Sequence, residues 1–191
     1  MKNKKNQGFS LVELIIVIAV IAILGTGLIR VSGVWDGWRV TKCSDLMENT
    51  WNKAKMLALS KGNVAGVEFY QLNGVYYAAV VDTVEKKEPT SVFDLSIGGR
   101  VLETVELGKT PITMTVTLKN ADGETTISLT DNSSLSSLKN VAAFAFNRSS
   151  GAIKPVVFGG KDSDYTKITI GNSKKTVHYS IAYATGKIMQ E

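Results

Sequence analysis

The chain has 191 residues, of which 44% are hydrophobic and 20% charged, with a formal net charge of +5. That length accommodates one anchoring segment and one folded domain large enough for a single core. With one cysteine, Cys43, and one histidine, His178, it can assemble neither an intramolecular disulfide nor the usual Cys/His zinc sets and Cys-His catalytic pairs. The charge is also too mild to argue for nucleic acid by itself.

Residues 1–8 are a basic leader carrying Lys2, Lys4 and Lys5 and ending at Gly8. Residues 9–30 follow as an apolar run, begun by Phe9 and broken once, by Glu13. A helix from Phe9 to Ile29 is about 31 Å long, close to the hydrocarbon thickness of a bilayer. The lysines before it should stay cytoplasmic, which places the rest of the chain outside. Two plain readings are a single-span anchor and a cleaved secretory signal, for which Gly25-Thr26-Gly27 could pass as the cleavage site. Glu13 argues against both, because a carboxylate in an apolar helix costs roughly 2.5 to 3.5 kcal/mol and normally sits there with a partner. A cut between Gly8 and Phe9 supplies one. The new amino group of Phe9 lies one helical turn from Glu13 and can pair with it, or with Glu13 of a neighbouring subunit. The cut also removes the three leader lysines, lowering the net charge from +5 to +2.

Lys5-Asn6-Gln7-Gly8 followed by Phe9-Ser10-Leu11-Val12-Glu13-Leu14-Ile15-Ile16-Val17-Ile18-Ala19 resembles the class III signal of type IV pilins and type II secretion pseudopilins. The resemblance implies that a prepilin peptidase cuts between Gly8 and Phe9 and methylates the amino group of Phe9. It also implies that Glu13 guides docking into a growing filament. The chain departs from the family at one point. Many members carry a proline just beyond the apolar run, whereas this one has Gly25, Gly27 and Arg30, then Gly33 and Gly37. Glycine weakens a helix by about 1 kcal/mol relative to alanine, so these positions can soften it as the proline does elsewhere.

Trp35 and Trp38, beside Arg30 and Arg39, fit an interfacial aromatic belt and equally fit packing between subunits of a fibre. Residues 31–62 are the second, amphipathic half of the helix. Cys43, Met47, Thr50, Ala54, Leu57 and Ala58, with Leu46 and Trp51 beside them, recur at three- and four-residue spacing. Lys42, Asp45, Glu48, Lys53 and Lys55 lie elsewhere. Cys43 is expected to be a half-buried helix residue, with an intermolecular disulfide as the alternative. Gly62-Asn63 is the expected stop, and a helix over residues 10–61 is about 78 Å by rise.

Residues 63–191 read as a β-rich head. Asn73-Gly74 between two period-two runs, residues 67–70 and 75–81, predicts a type I′ hairpin. Residues 82–91 are charged, contain Pro89 and read as a loop. Val92, Leu95 and Ile97, then Val101 and Val105, predict short or irregular strands around Gly98-Gly99. Ile112, Met114, Val116 and Leu118 alternate with threonines, predicting a strand with one wet face that turns at Asp122-Gly123 and returns over residues 125–129. A serine-rich loop over residues 131–139 precedes a strand at residues 142–146. A turn at Ser149-Ser150-Gly151, a strand over residues 153–158 and a loop over residues 159–164 come next. Strands at residues 167–170, 176–183 and 187–189 close the chain, the last after a Thr185-Gly186 turn. Asp162 and Asp164 match no established calcium loop and read as a solvated turn.

A second resemblance lies in this half. Phe144-Ala145-Phe146-Asn147-Arg148-Ser149-Ser150-Gly151, Lys167 to Asn172, Val177 to Ala182 and Thr185-Gly186-Lys187-Ile188 look like the ending of the pseudopilin H (GspH) and fimbrial FimT group. The helix end Ala54 to Gly62 is also similar. Members of that group are minor subunits proposed to sit at or near fibre tips, and some are DNA receptors. Lys167, Lys174, Lys175 and Lys187, with Tyr179 and Tyr183, are the residues that could make such a DNA contact; a solvated edge that resists strand pairing explains the same lysines.

Together these readings predict an α+β fold, a long N-terminal helix packed on an antiparallel β head, and a structural role without catalysis, metal or cofactor. The expected partners are a prepilin peptidase, other pilin or pseudopilin subunits, an inner-membrane assembly platform with its ATPase, and membrane lipid before assembly. The expected location is the cell membrane, with a single pass and a cytoplasmic N-terminus, and afterwards a surface pilus or pseudopilus. The alternatives are a DNA-binding tip pilin of an uptake system and a monomeric, membrane-anchored binding protein.

Overall fold

The computed structural model describes residues 10–61, 64–83, 100–132, 140–158 and 161–191, with backbone alone at residues 24–34, 61, 64, 83 and 156–158. Gly8, Phe9, Gly62-Asn63, Pro89, Val92, Leu95, Ile97, Gly98-Gly99, Gly159-Gly160 and the serine-rich residues 133–139 lie outside the described residues. Two compact units are present, Met1–Asp36 and Gly37–Glu191. The helical element α1, Leu11–Lys61, contributes to both.

Within the second unit α1 buries Val40, Cys43, Met47, Trp51, Ala54 and Ala58, a stripe at three- and four-residue spacing. The stripe packs on two antiparallel sheets. The first is built on the hairpin of β1 (Val64–Leu72) and β2 (Val75–Thr83), with Val67 opposite Val80 and Tyr70 opposite Tyr77. Its turn is Asn73-Gly74 at φ 52° and 72°, the left-handed pair that a type I′ turn needs. β3 (Arg100–Lys109) lies outside β2, and β7 (Val141–Phe146) pairs with β1 on the other side. The two-residue β6 (Asp131–Asn132) runs parallel to the end of β1.

The second sheet has the order β11, β10, β9, β4, β5, formed by Lys187–Gln190, Thr176–Ala182, Lys161–Gly171, Thr113–Asn120 and Gly123–Ser128 respectively. A short β8 (Val156–Phe158) pairs with the first residues of β9. Met114, Val116 and Leu118 point inward and the threonines between them outward. The inner faces of both sheets and the helix stripe share one core, where Trp51 touches Phe144, Phe146 and Phe69 at ring-centroid distances of 4.7, 5.2 and 6.4 Å. The indole N–H of Trp51 donates to the Gly186 carbonyl at 2.9 Å, so the closing Thr185-Gly186 turn is tied to the helix. The hydroxyls of Ser44 and Tyr179 lie 2.6 Å apart and tie β10 to it as well.

The α+β expectation holds, with corrections in detail. Residues 161–164, expected as loop, are strand: Asp162 faces Val157 of β8 and Asp164 faces Lys119 of β4. Backbone pairing, with β8 at residues 161–163 and with β4 from Asp164 on, overrides a composition that suggests a turn. β3 is one ten-residue strand, paired along β2 through two register shifts, and those shifts blur the alternation of its apolar residues. Cys43 is fully buried rather than half-buried, because the β3–β4 corner closes over it: a Cβ added to Gly108 would stand 3.8 Å from Cys43 Cβ.

Candidate membrane and filament interface

The helix starts on a built cap. Ser10 Oγ accepts the Glu13 backbone N–H at 3.2 Å, and the Ser10 carbonyl accepts the N–H of Leu14 at 3.2 Å. Serine at the cap with glutamate three residues on is the spacing of a capping box. Glu13 therefore sits in the first helical turn, where the positive end of the helix dipole favours a carboxylate. The Ser10-x-x-Glu13 spacing was present in the sequence, and its capping role went unread.

Around and beyond Glu13 the first unit presents apolar side chains on all sides. Leu11, Val12, Leu14, Ile15, Ile16, Val17, Ile18, Val20, Ile21 and Ile23 are between 44% and 74% exposed. In water, ten such side chains left half uncovered forgo about 1 kcal/mol each, about 10 kcal/mol together. A helix apolar all round is one that lipid or other helices cover. Among the described residues no helix is long and apolar enough to cross a membrane. The apolar side chains described end at Ile23, and the span expected over residues 9–29 continues past them on both sides.

Comparison with protein families matches residues 3–29 to the prokaryotic N-terminal methylation motif. The chain carries the class III prepilin signal of the type IV pilin and pseudopilin family. Such a signal implies processing by a prepilin peptidase, a membrane-anchored stage and assembly with other pilins. No curated protein and no solved structure matches the chain.

The matched signal spans Glu13 and the exposed apolar run, while the cleavage pair Gly8 and Phe9 lies outside the described residues. Trp35 and Trp38 are exposed, as either an interfacial or an intersubunit role requires. The four lysines do not line one strip with the two tyrosines. Lys167 ion-pairs with Glu191 at 3.2 Å, and Lys175 Nζ donates to Thr41 Oγ1 at 2.7 Å. Lys174 lies on the β9–β10 turn, and Lys187 faces Ala182 across the β10–β11 pair. Tyr179 alternates to the inner face and is buried, and the Tyr183 hydroxyl is buried too. Burial raises the pKa of both phenols; for Tyr183 the neighbouring Asp164 carboxylate adds to the effect. The Tyr179 ring is not presented for stacking on a base, and Tyr183 is half-buried against the core. Among the described residues no group of His, Cys, Asp and Glu is placed to hold a metal ion.

Proposed function

We propose that the chain is a structural subunit, of the minor kind, of a type IV pilus or a type II secretion-like filament. A peptidase cuts between Gly8 and Phe9, Phe9 is N-methylated, and Glu13 meets an amine at the base of the assembling filament. Residues 9–30 then form the part that exchanges lipid for neighbouring helices. Residues 31–62 carry the helix onto the head, and residues 63–191 make up the rest of the head. The observation that carries this reading is a capped helix start whose residues 11–23 are apolar all round except for Glu13 in the first turn and lie within the match to the methylation motif. An assembly platform and its ATPase would supply the motion, and this chain the interface.

Mass spectrometry of the envelope fraction tests it. The expected product begins at N-methylated Phe9, and a Glu13→Ala protein should be cut but left out of sheared filaments. A leader still intact in cells that hold the peptidase would instead favour a monomeric anchored binding protein. A role at a DNA-uptake tip would have to rest on Lys167, Lys174, Lys175 and Lys187 without the buried Tyr179 ring, and salt-insensitive or absent binding in a gel shift would remove it.

A further inference from the structure

The apolar run and the signal account for residues up to 30, but not for a groove on the second unit. There, residues 38–46 of α1 run beside the β3–β4 corner and line an open groove of about 600 Å3, a volume within the range of small-ligand sites. Trp38 and Lys42 share one helix face, with the Lys42 ammonium 5.5 Å from the Trp38 ring centre. Arg39 stands next to them and Lys109 opposite. Leu46, Leu107 and Ile112 line the groove with apolar side chains. Among the described residues that line it, the only carboxylate is Glu106, 3.8 Å from Lys109, against the three cations Arg39, Lys42 and Lys109. Gly108 makes the corner tight: a Cβ there would stand 2.8 Å from Ile112 Cδ1.

We infer that this groove binds the headgroup of an anionic phospholipid while the subunit is still anchored. The chemistry is complementary: ammonium and guanidinium groups for the phosphate, an indole of the kind that settles at the headgroup level, and an apolar lining for the glycerol end. Position along the chain agrees. A hydrocarbon core of about 30 Å takes about 20 helical residues. With the span at residues 9–29 the core ends near residue 29, and Trp38 follows nine residues later in the sequence, on the outer side. The headgroup would hold the head at the bilayer until assembly replaces lipid with protein. This rests on the anchored stage of the proposed function.

The test uses the full chain in neutral detergent, titrated separately with phosphatidylglycerol and phosphatidylcholine, with retained lipid counted by native mass spectrometry. Phosphatidylglycerol should be retained in preference. A cation near an anionic lipid contributes about a factor of five, so Lys42→Gln should lower that preference about fivefold and Lys42→Gln with Lys109→Gln more than tenfold. Trp38→Ala should weaken retention of phosphatidylglycerol, and Lys174→Gln, outside the groove, should change nothing. Circular dichroism of each variant checks that it is folded. Equal retention of both lipids by the parent chain overturns the inference, as does a preference that survives the double substitution. Full displacement by millimolar glycerol phosphate would show a free-anion site, and groove substitutions that alter self-association but not lipid retention would assign the groove to a second copy; either also overturns it. A chain cut at Gly8 yet indifferent to headgroup sinks only the lipid site. An uncut chain absent from the envelope sinks the filament reading and leaves the measured lipid preference standing.

Discussion

Trp51 holds the helix to the head, and its replacement gives a graded test of that packing. The side chain is fully buried among Phe69, Phe144 and Phe146, and its N–H is bonded to the carbonyl of Gly186, itself a buried residue. Trp51→Ala removes a large aromatic from a close-packed site, about 3–5 kcal/mol, and leaves a carbonyl unsatisfied, about 1 kcal/mol or more. Trp51→Phe keeps most of the ring volume and loses mainly the hydrogen bond, about 2 kcal/mol in all. At about 2–4 °C per kcal/mol for a domain of about 150 residues, the alanine variant should melt about 10–15 °C lower and the phenylalanine variant about 5 °C lower. The far-UV circular dichroism melt of the purified chain measures both. An alanine variant within about 3 °C of the parent, or equal to the phenylalanine variant, would refute the account of Trp51 as the tie between helix and sheets.

Two further outcomes follow from buried groups near that tie. Gly186 has φ +60°, and a Cβ built there falls 2.0 Å from the Gly151 carbonyl oxygen, so Gly186→Ala should destabilise by more than about 3 kcal/mol, read as a melting loss or as insoluble expression. Burial pushes the Cys43 thiol up to about 12 from an ordinary value of 9.0. The folded state thus favours the neutral thiol, and the associated stability is complete below pH 9 and is lost as pH rises from 9 towards 12. Urea midpoints at pH 8, 9 and 10 should therefore fall more steeply for the parent than for Cys43→Ala, and native Cys43 should resist maleimide until the chain is unfolded.

Much of the head was legible because its signals are local. Asn73-Gly74 fixes both the turn and the register of β1 on β2, and the Met114, Val116, Leu118 alternation marks the inward face of β4. The buried stripe of the helix was legible for the same reason, since three- and four-residue spacing is written along the chain. The errors lie where partners from far away decide. Asp162-Ser163-Asp164 reads as a loop until β8 and β4 flank it, and Tyr179 reads as an available ring until its hydroxyl is found against Ser44, 135 residues earlier. The site divides in the same way. Glu13 stands out because one charge interrupts an apolar run, whereas the groove joins residues 38–46 to residues 106–112 and leaves no mark at any single spacing.

Glu13 itself has two physical roles that the cap geometry makes separable. With Ser10 as cap, a carboxylate three residues on steadies the helix start and the dipole, together worth about 0.5–1 kcal/mol. In a filament interior the same carboxylate would neutralise the amine of Phe9, and losing it would strand a buried charge, about 3 kcal/mol or more. If capping is the whole role, Ser10→Ala and Glu13→Gln should lower filament yield alike, by fivefold or less, since removing a serine cap costs about 1 kcal/mol. If the amine is the partner, Glu13→Gln should cut incorporation by a hundredfold or more while Ser10→Ala stays within fivefold. Quantifying each variant in sheared filaments against the processed pool in the envelope reads this difference directly. Equal, modest losses for the two would reduce Glu13 to a helix cap and remove the electrostatic basis for docking through it.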